Sequence, residues 1–228
     1  MSHQNSNRLG AEARVTVTHD EESSPTTTTE GTHSELAPEH PPTSTGLSNE
    51  KIAMWAFLGS ECLLFGALIS VYLLFRGRSA VGTITPKDIY DIPYTSVSAF
   101  VLLMSSLTMV LALANHQRGD FRRFRVWILT TALLGATFVG GQMYEFTTFY
   151  DKGLKLSTNL FGSSFYVLTG FHGVHVVLGI LMLMSLFTLS LKGRIPASRS
   201  EVIELGGLYW HFVDVVWIII FTLVYLVP

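Results

Sequence analysis

The sequence has few charges and almost no cysteine. Asp, Glu, Lys and Arg make up 14% of its 228 residues, whereas about 25% is usual for soluble domains. The single cysteine, Cys62, excludes an internal disulfide framework and a cysteine-built metal cluster. A formal net charge of −2 gives no indication of nucleic-acid binding. The composition therefore points away from a soluble domain.

The first 47 residues are the exception to this apolar composition. Ser, Thr and Pro supply 20 of residues 1–50, and the same stretch holds eight acids against two arginines. Such a segment cannot bury enough apolar surface to offset the entropy of ordering it. We expect residues 1–47 to form a disordered acidic tail ahead of a membrane domain at 48–228.

Five apolar stretches follow, separated by charged or turn-rich breaks. Each has at least the roughly 20 residues that an α-helix needs to cross a bilayer, and none alternates with the period of two seen in barrel strands. We therefore predict an all-α membrane protein with five transmembrane helices in a bundle. The expected spans are about 52–75, 94–114, 126–146, 160–191 and 205–227.

Basic residues in the short loops predict the orientation. Eight fall on the side of the N-terminus and five on the other side, so we expect a cytoplasmic N-terminus and an external C-terminus. The N-terminal side has Lys51, Arg118, Arg122, Arg123, Arg125, Lys192, Arg194 and Arg199, and the other has Arg76, Arg78, Lys87, Lys152 and Lys155.

Ionisable side chains within the spans are costly in hydrocarbon and need a reason to be there. Glu61 lies inside the first span, where desolvation favours the protonated acid if no cation pairs with it. The residues alone leave two interpretations open, a proton relay and a neutral hydrogen-bonding knot. Glu145 lies at a helix end, and Trp55 and Trp210 are candidates for packing or lipid contact.

Two further pairs share a spacing of three residues, His172 with His175 and His211 with Asp214. Residues three apart lie on one helix face. The four side chains could together ligate a metal or, through the histidines, a haem. They could equally form hydrogen bonds between helices.

Four sequence blocks on four separate spans resemble subunit III of the haem-copper terminal oxidases. They are WAFLGSECLLF at 55–65, GQMYEF at 141–146, GSSFYVLTGFHGVHV at 162–176 and YWHFVDVVW at 209–217. The order of the blocks and the five spans resemble the bacterial five-helix form of the family. The quinol-oxidising branch shares these motifs, so they leave the electron donor open between cytochrome c, which we favour, and quinol.

The resemblance implies a subunit without a redox centre of its own in the bacterial cytoplasmic membrane. Its expected partners are subunit I, which holds haems and copper, subunit II, and phospholipids in a cleft between helices. The resemblance matches Glu61 to a membrane-embedded carboxylate linked to proton uptake. It implies lipid or interhelical contacts, not metal ligation, for Glu145, His172, His175, His211, Asp214, Trp55 and Trp210. The rival hypothesis is a free-standing membrane redox protein that uses the two pairs as ligands.

Overall fold

The computed structural model describes residues 48–76, 91–154, 156, 159–196 and 200–226. Within these ranges the chain forms five long helices, each apolar and long enough to cross a membrane. This confirms the expected all-α membrane architecture. The expected tail at 1–47 lies outside the described residues, as do the loop cations Arg78, Lys87, Lys155 and Arg199.

The helices are α1 (Asn49–Arg76), α2 (Ile92–Gln117), α3 (Phe121–Asp151), α4 (Leu160–Leu191) and α5 (Ser200–Phe221). A π-helical turn, Thr222–Leu226, extends α5. The helix α3 extends past both ends of the expected span at 126–146, and α5 begins before the expected residue 205. Hydropathy locates the apolar segment, whereas a helix continues into the polar interface until a cap ends it.

Among the described residues, side-chain oxygens cap four of the five helix starts, and at α1 the Ser48 hydroxyl accepts from the backbone N–H of Lys51 at 3.3 Å. Asp91 accepts a hydrogen bond from the backbone N–H of Tyr94 at 3.2 Å, which begins α2. Asp120 and Asn159 play the same role for α3 and α4. Each carboxylate or amide oxygen satisfies one of the N–H groups that a helix start leaves without an intrahelical partner.

The helix α5 lies at the centre of the described bundle. It packs against α1, α2 and α4, while α3 packs against α2 and α4. Trp210 and Trp217 of α5 are almost fully buried. The Trp210 ring lies in a slot left by Gly135 of α3 and Gly179 of α4, where an added Cβ would come within 2.5 Å and 2.8 Å of the indole. Small residues thus bring three helices together around one large ring.

The sequence spacing of small residues gives a poorer guide to the other contacts. Ala132, Ala136 and Gly140 recur every four residues along α3, which suggests a packing stripe. Only Ala132 of the three is buried, and nothing lies within 4 Å of a Cβ added at Gly140. The helix approaches α4 and the Trp210 ring of α5 through Gly135 instead, because the buried face of α3 is rotated from the expected one.

Candidate functional site

The membrane-embedded carboxylate Glu61 lies on the inward stripe of α1. Buried Leu58 precedes it by three residues and buried Phe65 follows it by four, so all three side chains lie on one helix face. That face meets α4 and α5. The inward face of α1 therefore brings an acidic side chain to a seam between helices.

At this seam Glu61 contacts His175 of α4. Oε2 of Glu61 lies 3.1 Å from Nε2 of His175, and the two side chains are 14% and 12% exposed. The residues are 114 positions apart in the sequence. Glu61 therefore has the partner that the sequence did not assign to it.

The contact made by Nδ1 of His175 shows which nitrogen of the imidazole carries a hydrogen. Nδ1 lies 2.8 Å from the carbonyl oxygen of Phe171, and a carbonyl oxygen can only accept. Nδ1 must therefore carry a hydrogen. The 3.1 Å gap then holds one shared proton, which belongs either to a neutral Glu61 or to a His175 imidazolium.

Aromatic groups enclose this pair. The hydroxyl of Tyr209 on α5 donates to the backbone carbonyl of His175 at 3.0 Å, and Phe57 stacks on the Tyr209 ring with centroids 6.4 Å apart. Phe65 contacts the His175 imidazole edge-on at 5.1 Å. The seam thus fixes the orientation of His175 from three helices.

His172 occupies a different environment one turn earlier on α4. It is fully buried and stacks on Trp217 of α5, with ring centroids 5.0 Å apart and an angle of 25° between the planes. Phe138 and Phe65 meet it edge-on at 5.9 Å and 6.4 Å. Among the described residues, neither ring nitrogen of His172 has a hydrogen-bond partner. His172 serves here as an aromatic core residue.

The four candidate metal ligands do not converge. His175 contacts Glu61, His172 stacks on Trp217, and Asp214 accepts a hydrogen bond from Ser106 of α2 at 2.6 Å. His211 lies near Asp214 on its own helix. Within the described residues no group of three or more His, Cys, Asp or Glu side chains is arranged to hold a metal ion.

The remaining candidates are divided between core and surface. Trp210 is buried and donates from Nε1 to the hydroxyl of Ser105 at 3.0 Å. Trp55 is 59% exposed on α1, where it is available to lipid or to another subunit. Glu145 is 6% exposed on α3 and accepts a hydrogen bond from Thr95 of α2 at 2.9 Å.

A long apolar groove runs between α3 and α4. The family resemblance implied a lipid-holding cleft between helices but did not say which helices form it. The larger cavity of the groove, about 750 Å³, is lined by Met143, Phe146, Tyr150, Tyr166 and Gly170, among others. A second cavity of about 250 Å³ shares Met143, Phe146 and Gly170 and extends the groove. Gly170 lines open space here rather than a helix contact, since nothing lies within 4 Å of a Cβ placed on it. A helix glycine that leaves such a gap has no distinctive sequence signal.

Comparison with known proteins gives a consistent family match. Residues 32–227 match the model of a family described as cytochrome c oxidase subunit III. A cytochrome c oxidase subunit 3 of Bacillus sp. PS3 is 37% identical over 190 residues, which cover 83% of this chain and 91% of the relative.

Two further relatives are named for quinol oxidation. Quinol oxidase subunit 3 of Bacillus subtilis is 39% identical over 77% of this chain and 85% of its own length. Cytochrome bo(3) ubiquinol oxidase subunit 3 of Pseudomonas aeruginosa is 35% identical over 78% of this chain and 85% of its own length. The similarity thus extends to both kinds of oxidase.

Proposed function

Because this chain belongs to the cytochrome c oxidase subunit III family, we propose that it supports the catalytic subunit of an aerobic, proton-pumping haem-copper oxidase. Its partners in this proposal are subunits I and II, where haem and copper reside, and phospholipids of the surrounding bilayer. The chain itself is a multi-pass membrane protein. It contributes stability, lipid binding and proton supply rather than electron transfer.

The contact between Glu61 and His175 is the observation that carries the proton-supply role. A carboxyl and an imidazole 3.1 Å apart can pass one proton between them without moving either helix. The pair is slightly exposed at a seam on the outside of this chain, so a partner subunit packed there can exchange a proton with it. Ionisable groups within a membrane commonly mark such pathways.

The absence of a redox centre in this chain is part of the proposal. The side chains of His172, His175, His211 and Asp214 each face a different neighbour, which disfavours the rival hypothesis of a free-standing metal or haem protein. Metal analysis and an absorption spectrum of the purified chain test this point. Stoichiometric metal or bound haem in the isolated chain would support the rival.

We propose cytochrome c as the electron donor of the complex, with quinol as the alternative. The family description and the relative from Bacillus sp. PS3 favour cytochrome c, whereas the relative from Bacillus subtilis is named for quinol. Purification of the chain in mild detergent, with identification of the subunits that accompany it, decides between them. A partner carrying a copper electron acceptor supports cytochrome c, and a partner without one supports quinol.

The proposed location is the bacterial cytoplasmic membrane, with the N-terminus in the cytoplasm and the C-terminus outside. The strongest cluster of positive charge is at the junction of α2 and α3, where Arg118 ends α2 and Arg122 and Arg123 lie in the first turn of α3. A reporter fused after Arg123 should therefore report the cytoplasm, and one fused after Pro228 the outer side. The opposite pair of results would reverse the orientation.

A further inference from the structure

A polar pocket of about 470 Å³ lies where α2 begins and α3 ends, on the side of α3 away from the groove between α3 and α4. Its walls include two acids, Asp91 and Glu145, two phenols, Tyr94 and Tyr144, and one cation, Lys152. Both helices reach the polar boundary of the membrane at this level, since α2 starts at Ile92 and α3 ends at Asp151. The pocket therefore lies at the depth of lipid head groups.

A second and smaller apolar groove, between α2 and α3, continues from this pocket toward the middle of the membrane span. It has a volume of about 130 Å³, shares Tyr94 with the pocket, and is lined by Val97, Val101, Phe138 and Gly141, among others. Ten residues separate Asp91 from Val101, which corresponds to about 15 Å along a helix. The combined site is polar at the membrane boundary and apolar below it.

Gly141 keeps the junction between the two parts open. The hydroxyl of Tyr94 donates to the Gly141 carbonyl at 3.3 Å, and a Cβ at position 141 would approach that hydroxyl to 3.1 Å and Ser98 Oγ to 3.3 Å. A larger residue would therefore displace Tyr94 and narrow the groove. The absence of a side chain here defines the path from pocket to groove.

The charges of the pocket select the head group. Among the described lining residues there are two carboxyl groups and one ammonium group, so a head group that brings its own ammonium group to Glu145 fits the pocket better than an anionic one. Glu145 is 6% exposed, and among the described residues its hydrogen bonds come from the hydroxyl groups of Thr95 and Tyr225 rather than from a cation. The Tyr94 and Tyr144 rings, 5.6 Å apart, add phenol oxygens that accept hydrogen bonds. An ammonium group with N–H donors matches these acceptors, and Lys152 matches a phosphate.

We propose that this pocket and groove bind one phosphatidylethanolamine molecule, whose ammonium group contacts Glu145 and Asp91 and whose phosphate contacts Lys152. One acyl chain of the lipid enters the groove past Tyr94 and Gly141. The inference rests on the proposed function only in taking this subunit to bind phospholipid. It adds the location, the head-group class and the residues.

Photolabelling of the intact complex in lipid nanodiscs tests the site. The probe is phosphatidylethanolamine with a diazirine in its acyl chain, and labelled residues are identified by mass spectrometry. We expect labels on groove residues such as Val97 and Val101. Unlabelled phosphatidylethanolamine should compete about tenfold better than phosphatidylcholine or phosphatidylglycerol, since a charge-assisted hydrogen bond contributes about that factor.

Two variants and one matched control locate the recognition. Glu145→Gln removes the carboxylate while keeping its shape, and should lower labelling about tenfold. Gly141→Val should lower it by blocking the groove. Asp151→Asn removes an exposed carboxylate at the end of the same helix, outside the pocket, and should leave labelling unchanged.

The outcomes separate this inference from the proposed function. Labels that fall elsewhere, or competition by phosphatidylcholine equal to that by phosphatidylethanolamine, would overturn it. If Glu145→Gln does not assemble, the wild-type competition alone decides. Haem content and co-purifying subunits of the same preparation report on the proposed function. Labelling of a chain that lacks oxidase partners would contradict the proposed function alone. A normal oxidase without labelling at this site would contradict the lipid site alone.

Discussion

Two histidines three residues apart on α4 occupy opposite environments. His175 has a partner on each ring nitrogen, Glu61 on one and the Phe171 carbonyl on the other. Neither ring nitrogen of His172 has a partner in the part of the chain that the structure describes, and the ring instead stacks within a cluster of Trp217, Phe138 and Phe65. The first histidine belongs to a polar seam and the second to an aromatic interior. The same residue type thus forms hydrogen bonds in one place and packs against aromatic rings in the other.

The difference shows which interactions contribute most to the stability of a membrane helix bundle. Burial against lipid gives no hydrophobic advantage, so close packing of rings and small residues stabilises the interior. Hydrogen bonds between membrane helices contribute little on average, about 0.6 kcal/mol. The seam should therefore matter less for stability than for chemistry.

The aromatic interior should respond most strongly to truncation. Trp217→Ala removes the stacking partner of His172 and the ring that meets Phe138 at 4.7 Å. We expect a loss of about 3–5 kcal/mol in the free energy of unfolding, measured by titration with a denaturing detergent. Trp55→Ala, at an exposed site on α1, is the control and should change stability by less than about 0.5 kcal/mol. Equal effects would refute the distinction between interior and surface.

Adding a side chain at a glycine that contacts Trp210 should have the next largest effect on the free energy of unfolding. Gly179→Ala places a Cβ 2.8 Å from the indole and should cost about 1–3 kcal/mol by overpacking. Gly170→Ala, on the same helix with nothing within 4 Å, should be neutral or stabilising by up to about 1 kcal/mol. The same detergent titration measures both. If Gly170→Ala destabilised as much, helix flexibility rather than packing would explain the result.

The polar seam should show a smaller coupling. A double-mutant cycle with Glu61→Leu and His175→Phe should give an interaction energy of about 0.6–1.7 kcal/mol. The physical reason is that each group can find another polar partner when the helices separate. A coupling near zero would mean that the two side chains do not interact in the assembled protein.

His172→Phe should have the smallest effect. The replacement keeps an aromatic ring against Trp217 and gives up no hydrogen bond described for His172. We expect a change of less than about 1.5 kcal/mol in the free energy of unfolding and normal haem content. A loss as large as that of Trp217→Ala would show that His172 acts through its nitrogens.

The five helices were predictable because hydrocarbon requires long apolar segments with internally bonded backbones. The side-chain contacts between helices were not predictable. The 114 residues between Glu61 and His175 give no local signal, and the i,i+3 spacing of His172 and His175 suggested a shared ligand that the bundle does not create. Helix rotation decided both outcomes, since it turned His175 toward α1 and His172 toward α5. The position of the groove beside Gly170 escaped prediction for the same reason.

Turnover of the Glu61→Gln complex tests the central claim most directly. Glutamine keeps the size of the side chain and a hydrogen bond to His175 but cannot exchange a proton. Proton supply through Glu61 predicts normal assembly and haem content with slower turnover, or faster loss of activity during turnover, most clearly at high pH where bulk protons are scarce. Wild-type turnover and durability across that pH range, in a normally assembled variant, would contradict it.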